Sequence, residues 1–127
     1  MPKKILIVDD EKDVRESTMR LLLRKGYYAD GAESGIDALE KIREESFDLL
    51  IVDIRMPGMD GIEMLRRVKE INPEIIAIIL TGHGTVDREI EAKQLGAVGF
   101  LRKPTHIDNL TKAIDNALAK RFDSRNS

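Results

Sequence analysis

The sequence contains no cysteine, which excludes disulfides, thiolate zinc sites and a cysteine nucleophile. It has no excess of positive charge: 21 basic against 23 acidic residues leave a formal net charge of −2. Such a surface has little with which to displace the counterions of a phosphate backbone, so nucleic-acid binding by this domain is not expected. Long apolar runs are also missing. The longest, Ile75 to Leu80, is far too short to cross a bilayer. The N-terminus, Met1-Pro2-Lys3-Lys4, runs straight into an apolar strand and Asp9-Asp10, without the apolar stretch or small-residue cleavage site of a signal peptide. These absences predict a cytoplasmic chain with no membrane association. No Gly-rich loop follows the first strand, where Asp9-Asp10-Glu11 would repel a nucleotide phosphate in the absence of a metal. His83 and His106 have no second His or Cys partner that suggests zinc.

What remains is one domain of 127 residues with 42% apolar residues, enough for a core. Short β-branched runs alternate with helical patterns. Strands are expected at Lys4 to Val8, Tyr27 to Ala32, Leu49 to Val52, Ile75 to Leu80 and Phe100-Leu101. The intervening helices are marked by Val14, Thr18, Leu21 and Leu22, by Ala38, Leu39 and Ile42, and by Ile62, Leu65 and Val68. Val86 and Ile90 begin a fourth helix with a thin apolar stripe, and Ile107, Leu110, Ile114, Ala117 and Leu118 give the cleanest amphipathic pattern. Asp13 with Glu16, and Ser34 with Asp37, read as helix caps; Gly26 reads as a C-cap. Strands that are continuously apolar must be covered on both faces, which favours a parallel sheet. Five units are too few for an eight-stranded barrel. The expected fold is therefore α/β, a doubly wound five-stranded parallel sheet in the order 2-1-3-4-5 with helices on both faces. The domain is expected to span residues 1–121, with a frayed tail at 122–127 where periodicity is lost.

Ligands of open parallel sheets bind at the carboxyl ends of the strands. Those ends carry Asp9-Asp10, Asp53, Thr81 and Lys103. If the first and third strands are neighbours, three carboxylates converge. Two unit charges about 4 Å apart repel by roughly 4 kcal/mol at an effective dielectric near 20, so either protonation or a cation must relieve them. Oxygen donors without His or Cys suit a hard ion such as Mg²⁺. Asp53 can attack phosphorus to give an aspartyl phosphate, while Lys103 and the Thr81 hydroxyl neutralise or hydrogen-bond the transferring oxygens.

Val8-Asp9-Asp10, the segment Asp53 to Gly61 (DIRMPGMDG), Thr81-Gly82 and Lys103-Pro104 together resemble the receiver domain of two-component response regulators, from about Lys4 to about Arg121. The resemblance implies a flavodoxin-like receiver fold and Asp53 as phosphoacceptor. Asp9, Asp10, Asp53 and the backbone carbonyl of Arg55 are implied to hold Mg²⁺ (or Mn²⁺). Thr81 and Phe100 match the switch residues, and the Lys103–Pro104 peptide is expected to be cis. Arg55 and His83 would flank the path of the hydrolytic water and tune the lifetime of the phosphate. The implied partners are a sensor histidine kinase or phosphotransfer protein, with a small phosphodonor as substitute, and a phosphorylation-dependent homodimer is possible. The protein would then be no enzyme in the ordinary sense, catalysing only its own phosphorylation and dephosphorylation.

Other readings stand beside this one. Asp9 or Asp10 could simply cap the first helix, and Phe100 could be plain core. A degenerate receiver would serve as a docking module. A phosphohydrolase of the haloacid-dehalogenase type expects a second Asp two residues after the nucleophile, where this chain has Arg55. A stand-alone receiver and a receiver cut from a longer regulator both remain open.

Overall fold

The computed structural model describes residues 2–82 and 84–126. Its five parallel strands are ordered β2-β1-β3-β4-β5, as expected from the sequence. They are β1 (Lys4–Val8), β2 (Tyr28–Ala32), β3 (Leu49–Val52), β4 (Ile76–Thr81) and β5 (Gly99–Arg102). Between and after them run α1 (Lys12–Arg24), α2 (Gly35–Glu44), α3 (Gly61–Ile71), α4 (Val86–Gln94) and α5 (Ile107–Asn126). Among the described residues no helix is long and apolar enough to cross a membrane.

Alternate residues along each strand feed two separate cores. Leu6, Val8, Leu50, Val52, Ala77 and Ile79 face α2, α3 and α4, where Leu39, Ile42, Leu65, Val68 and Ala92 cover them. Ile5, Ile7, Leu49, Ile51, Ile78 and Leu80 meet Leu22 of α1 and Leu110, Ile114 and Ala117 of α5. This is why the strands read as unbroken apolar runs. Each such Leu, Ile or Val side chain, once buried, contributes on the order of 1.5–3 kcal/mol, and β1, β3 and β4 are buried almost throughout.

Local details follow from single residues. Gly26 (φ 94°) takes the left-handed position after α1, and its amide donates to the Leu23 carbonyl. Ser34 caps α2 through the Asp37 amide, as its spacing predicts. The expected Asp13 cap is not formed. Glu11 holds the N-cap position of α1 with no side-chain bond, and Asp13 lies in the first turn, where its charge complements the helix dipole. At the other end of the chain, α5 continues past the expected Arg121 boundary to Asn126, since residues 122–126 include no Gly or Pro to stop a helix.

The register places the strand ends side by side. Val8 pairs with Val52, Val52 with Ile79, and Thr81 with Arg102. The residue after β3 is clamped by the start of α3. The Gly61 amide donates to the Ile54 carbonyl at 2.7 Å, and a Cβ on Gly61 would fall 2.2 Å from the Asp53 carbonyl oxygen. Only glycine permits that approach. Gly61→Ala should therefore cost at least about 2 kcal/mol. Gly58→Ala, strained by its φ of 78° but meeting nothing within 4 Å, should cost about 1 kcal/mol. Equal denaturation midpoints for the two variants would contradict this account.

The hydroxyl of Tyr27, just before β2, donates to the Asp115 carboxylate of α5. Burial and the neighbouring carboxylate push the Tyr27 phenol up to about 12. A raised value in the folded state means that the contribution is complete below the ordinary 10.0 and is lost as pH rises toward about 12. The stability difference between wild type and Tyr27→Phe, followed by chemical denaturation, should shrink across that window. A constant difference would remove Tyr27 as its source.

Candidate functional site

Because Val8 and Val52 are register partners, the next residues, Asp9 and Asp53, emerge next to each other at the carboxyl edge of the sheet. Both are 3% exposed, whereas Asp10 faces solvent. Each of the three offers a carboxylate oxygen, and these oxygens all lie within 4.8 Å of one another. β5 delivers Lys103 from the opposite side. Its Nζ lies 2.6 Å from Asp9 Oδ2, 3.2 Å from Asp53 Oδ2 and 3.6 Å from Glu11 Oε1. The Lys103 amide donates to the Thr81 carbonyl, and the Lys103–Pro104 peptide is cis.

Asp53 is oriented through both oxygens. The fully buried Thr81 donates its hydroxyl to Oδ1 at 2.7 Å, and the Arg55 amide donates to the same oxygen at 3.2 Å. Lys103 occupies Oδ2. Asp9 accepts the Glu11 amide at 2.9 Å, which turns the chain into α1 without capping it, since Glu11 holds the N-cap position.

The electrostatics are unbalanced. Burial raises the Asp9 carboxyl above its usual value, with the Asp53 charge adding to it, even though Lys103 and the Glu11 amide pull it down. Burial alone would lower Lys103, but the two carboxylates beside it hold it above its usual value. Asp9 is raised chiefly by its burial and Lys103 by the acids around it, and one ammonium serves several of those acids. With all ionised, Asp9, Asp10 and Asp53 against Lys103 leave two negative charges uncompensated. An all-oxygen donor set with that residual charge fits a hard dication. A cavity of about 330 Å³ opens beside it, lined by Asp10, Glu11, Asp53, Arg55, Met56 and Pro57.

The candidate switch aromatic, Phe100, is only partly buried and packs on the core under α4. A Cβ on Gly84 would lie 2.5 Å from its Cζ and 3.2 Å from Thr81 Cγ2, so ring, loop and hydroxyl-bearing residue are stacked together. His83, the other rate-tuning candidate, lies outside the described residues. Three neighbours escaped the sequence reading. The Arg15 guanidinium donates to the Asp9 carbonyl at 2.8 Å. Arg102 donates to the Gly84 carbonyl at 2.7 Å while lying over the Phe100 ring. Arg88 of α4 reaches Asp60 at 2.7 Å. Arg15 reaches a backbone carbonyl six residues back, which no spacing rule announces; the other two pairings depend on tertiary packing.

Comparison with known proteins bears on this arrangement. Residues 5–115 match the family model of the response regulator receiver domain. Sporulation initiation phosphotransferase F of Bacillus subtilis is 40% identical over 118 residues, covering 93% of this chain and 95% of that protein. The transcriptional regulatory protein ZraR of Klebsiella oxytoca is 44% identical over 115 residues, covering 91% of this chain. The chain spans only 26% of that relative. A CheY-like response regulator receiver domain protein from Methanospirillum hungatei superposes with a TM-score of 0.94 at 30% identity, covering 98% of this chain and 99% of that one. A family match across all five strands, joined to a relative of nearly equal length at this identity, settles the membership: the chain belongs to the response regulator receiver domain family.

Proposed function

We propose that Asp53 accepts a phosphoryl group from a sensor histidine kinase, a phosphotransfer protein or a small phosphodonor, and that the modified chain signals through an altered surface. The observation that carries this reading is the Asp53 carboxylate itself. It is held by Thr81, the Arg55 amide and Lys103, with Asp9 and Asp10 alongside and a cavity at its side. In the transfer, a carboxylate oxygen of Asp53 forms a bond to phosphorus as the bond from phosphorus to the donor breaks, and the donor leaves with that electron pair. In dephosphorylation, water attacks phosphorus and restores the carboxylate with release of inorganic phosphate. Asp9, Asp10, Asp53 and the Arg55 carbonyl would hold Mg²⁺ (or Mn²⁺), which when bound supplies positive charge for the phosphoryl oxygens. Lys103 supplies the second positive charge from β5, and Thr81 a hydrogen-bond donor. The exposed Arg55 side chain, with His83, tunes the lifetime of the acyl phosphate. No other substrate is turned over, and the site works in the cytoplasm.

Phosphorylation adds roughly −1.5 to −2 charge and three strong acceptor oxygens. Thr81 then has a stronger acceptor than the Asp53 carboxylate it now serves. Its movement frees the space that Phe100 fills, and the face made by α4, β5 and α5 changes with it. Val86, Ile90 and Val98 are 67%, 48% and 56% exposed, an apolar area suited to a second copy of the chain or to another protein.

Intact-mass measurement after incubation with acetyl phosphate and Mg²⁺ should show one added phosphoryl group in wild type and none in Asp53→Asn. Undiminished labelling of Asp53→Asn would refute the assignment, and turnover of the phosphodonor with no phosphorylated chain accumulating would point to a hydrolase instead. Asp10→Ala should weaken Mg²⁺ binding at least about tenfold and slow phosphorylation with it. Without metal the same variant should melt at a higher temperature, because like-charge repulsion falls. Normal labelling in excess chelator would rule out the metal.

A further inference from the structure

α4 is the most weakly seated helix of the fold. It buries one side chain, Ala92, and two of its apolar residues, Val86 and Ile90, point largely into solvent. Arg88, in its first turn, makes a connection that packing does not. Its Nη2 lies 2.7 Å from Asp60 Oδ2, and its Nη1 lies 3.5 Å from both Glu91 carboxylate oxygens. Asp60 is no ordinary surface acid. Its Oδ1 accepts the Glu63 amide at 2.9 Å as the N-cap of α3. It also closes the loop that begins at Asp53, whose carboxylate is held by the Arg55 amide of that loop. Ile54, Arg55, Met56, Asp60 and Arg88 line one small cavity. A continuous line of bonds therefore runs from the Asp53 carboxylate, along the β3–α3 loop, to the first turn of α4.

We propose that the Arg88–Asp60 ion pair is a latch that holds α4 in its resting position on the loop carrying Asp53. The latch thereby restrains how readily the domain takes up a phosphoryl group. The second half rests on the reading of Asp53 as phosphoacceptor. This route is separate from the one through Thr81 and Phe100, which reaches α4 from β4 and β5.

The magnitudes suit a switch. Arg88 and Asp60 side chains are 31% and 41% exposed, so solvent limits the pair to a factor of a few in an equilibrium. A factor of a few matters where a single buried alanine is the competing anchor, and it is small enough for a new charge nearby to overcome. The pair stays ionised through the neutral range. Burial alone would raise Asp60, but the Glu63 amide and the Arg88 guanidinium bring it below its usual value. By linkage, a contact made in the resting state weakens a ligand that favours the shifted state by the factor with which that contact favours rest.

Two substitutions isolate the pair. Arg88→Met keeps the aliphatic stem and removes the charge. Asp60→Asn keeps an oxygen for the Glu63 amide while removing the ionic partner. Amide hydrogen exchange of residues 86–94 in the free protein, and affinity for beryllofluoride with Mg²⁺, are measured for wild type, each variant and the double variant. Each single change should speed exchange across α4 and tighten beryllofluoride binding by about two- to fivefold. The double variant should go no further than either single. Lys93→Met, which breaks only the Glu89 pair within α4, should leave beryllofluoride affinity at the wild-type value. Unchanged α4 exchange in Arg88→Met, unchanged or weaker beryllofluoride binding, or additive effects in the double variant would each overturn the latch. If wild type itself fails to bind beryllofluoride, the phosphoacceptor reading falls. The exchange of α4, which needs no ligand, then still decides whether the ion pair restrains the helix.

Discussion

Two aspartates buried at adjacent strand ends, with one lysine between them, set the terms for the rest of this structure. The sheet register leaves no freedom in the matter: once Val8 is paired with Val52, Asp9 and Asp53 must emerge together. Like charges at such range cost several kcal/mol in a partly desolvated site. The surrounding fold withstands that cost because the two central strands are buried on both faces. Local bonds then fix which oxygen does what. Thr81 and the Arg55 amide share Oδ1 of Asp53, Lys103 takes Oδ2, and the Glu11 amide holds Asp9. The cluster is ordered, yet its negative charge is not neutralised. An ordered, under-neutralised acidic pocket favours species that bring positive charge or that place phosphoryl oxygens near Lys103.

The same pocket explains why its neighbours are arranged as they are. Thr81 already donates its one proton to Asp53, so any stronger acceptor nearby competes for it. Behind it, Gly84 leaves the space that the Phe100 ring enters, and Arg102 clasps the Gly84 carbonyl from above that ring. A side chain at position 84 would collide with the ring, so the contact of loop and ring requires glycine there. Arg102 then opposes free movement of the loop. Gly84 is thus held from two sides, by the Phe100 ring and by the Arg102 guanidinium.

What could be read from the sequence follows the range of the interactions. β1, β3 and β4 were legible because continuous apolar runs such as Ile5 to Val8 and Leu49 to Val52 admit little but a strand covered on both faces. The candidate site was legible because four short motifs fall one after another at strand ends. β5 was harder: its residues are only partly buried or exposed, so the apolar signal shrank to Phe100-Leu101. The α1 cap was misplaced to Asp13 because capping spacing is a local rule, whereas the helix start is decided by Asp9 being held at the sheet edge. The Arg88–Asp60, Arg102–Gly84 and Tyr27–Asp115 pairings could not be foreseen. Charged residues make up 35% of the chain, and nothing in a one-dimensional pattern says which of them will meet across 28, 18 or 88 positions.

Stability and responsiveness are divided between different parts of the molecule. The acidic cluster stands on β1 and β3, strands buried almost throughout, where a shift of an ångström would open cavities on both faces of the sheet. α4 stands on Ala92 alone. A perturbation at Asp53 therefore meets stiff resistance in most directions and little in one. The groups that touch both regions are few, Thr81 with Phe100 and Asp60 with Arg88, and through them the proposed phosphorylation would be passed on. Such a division lets the domain change shape at one face without loosening its core, because the free energy that resists motion of α4 is small and resides in polar contacts that water can replace. A core-seated α4 would have given a more stable protein, but one in which the proposed phosphorylation of Asp53, with a few kcal/mol of new interaction, could not displace the helix.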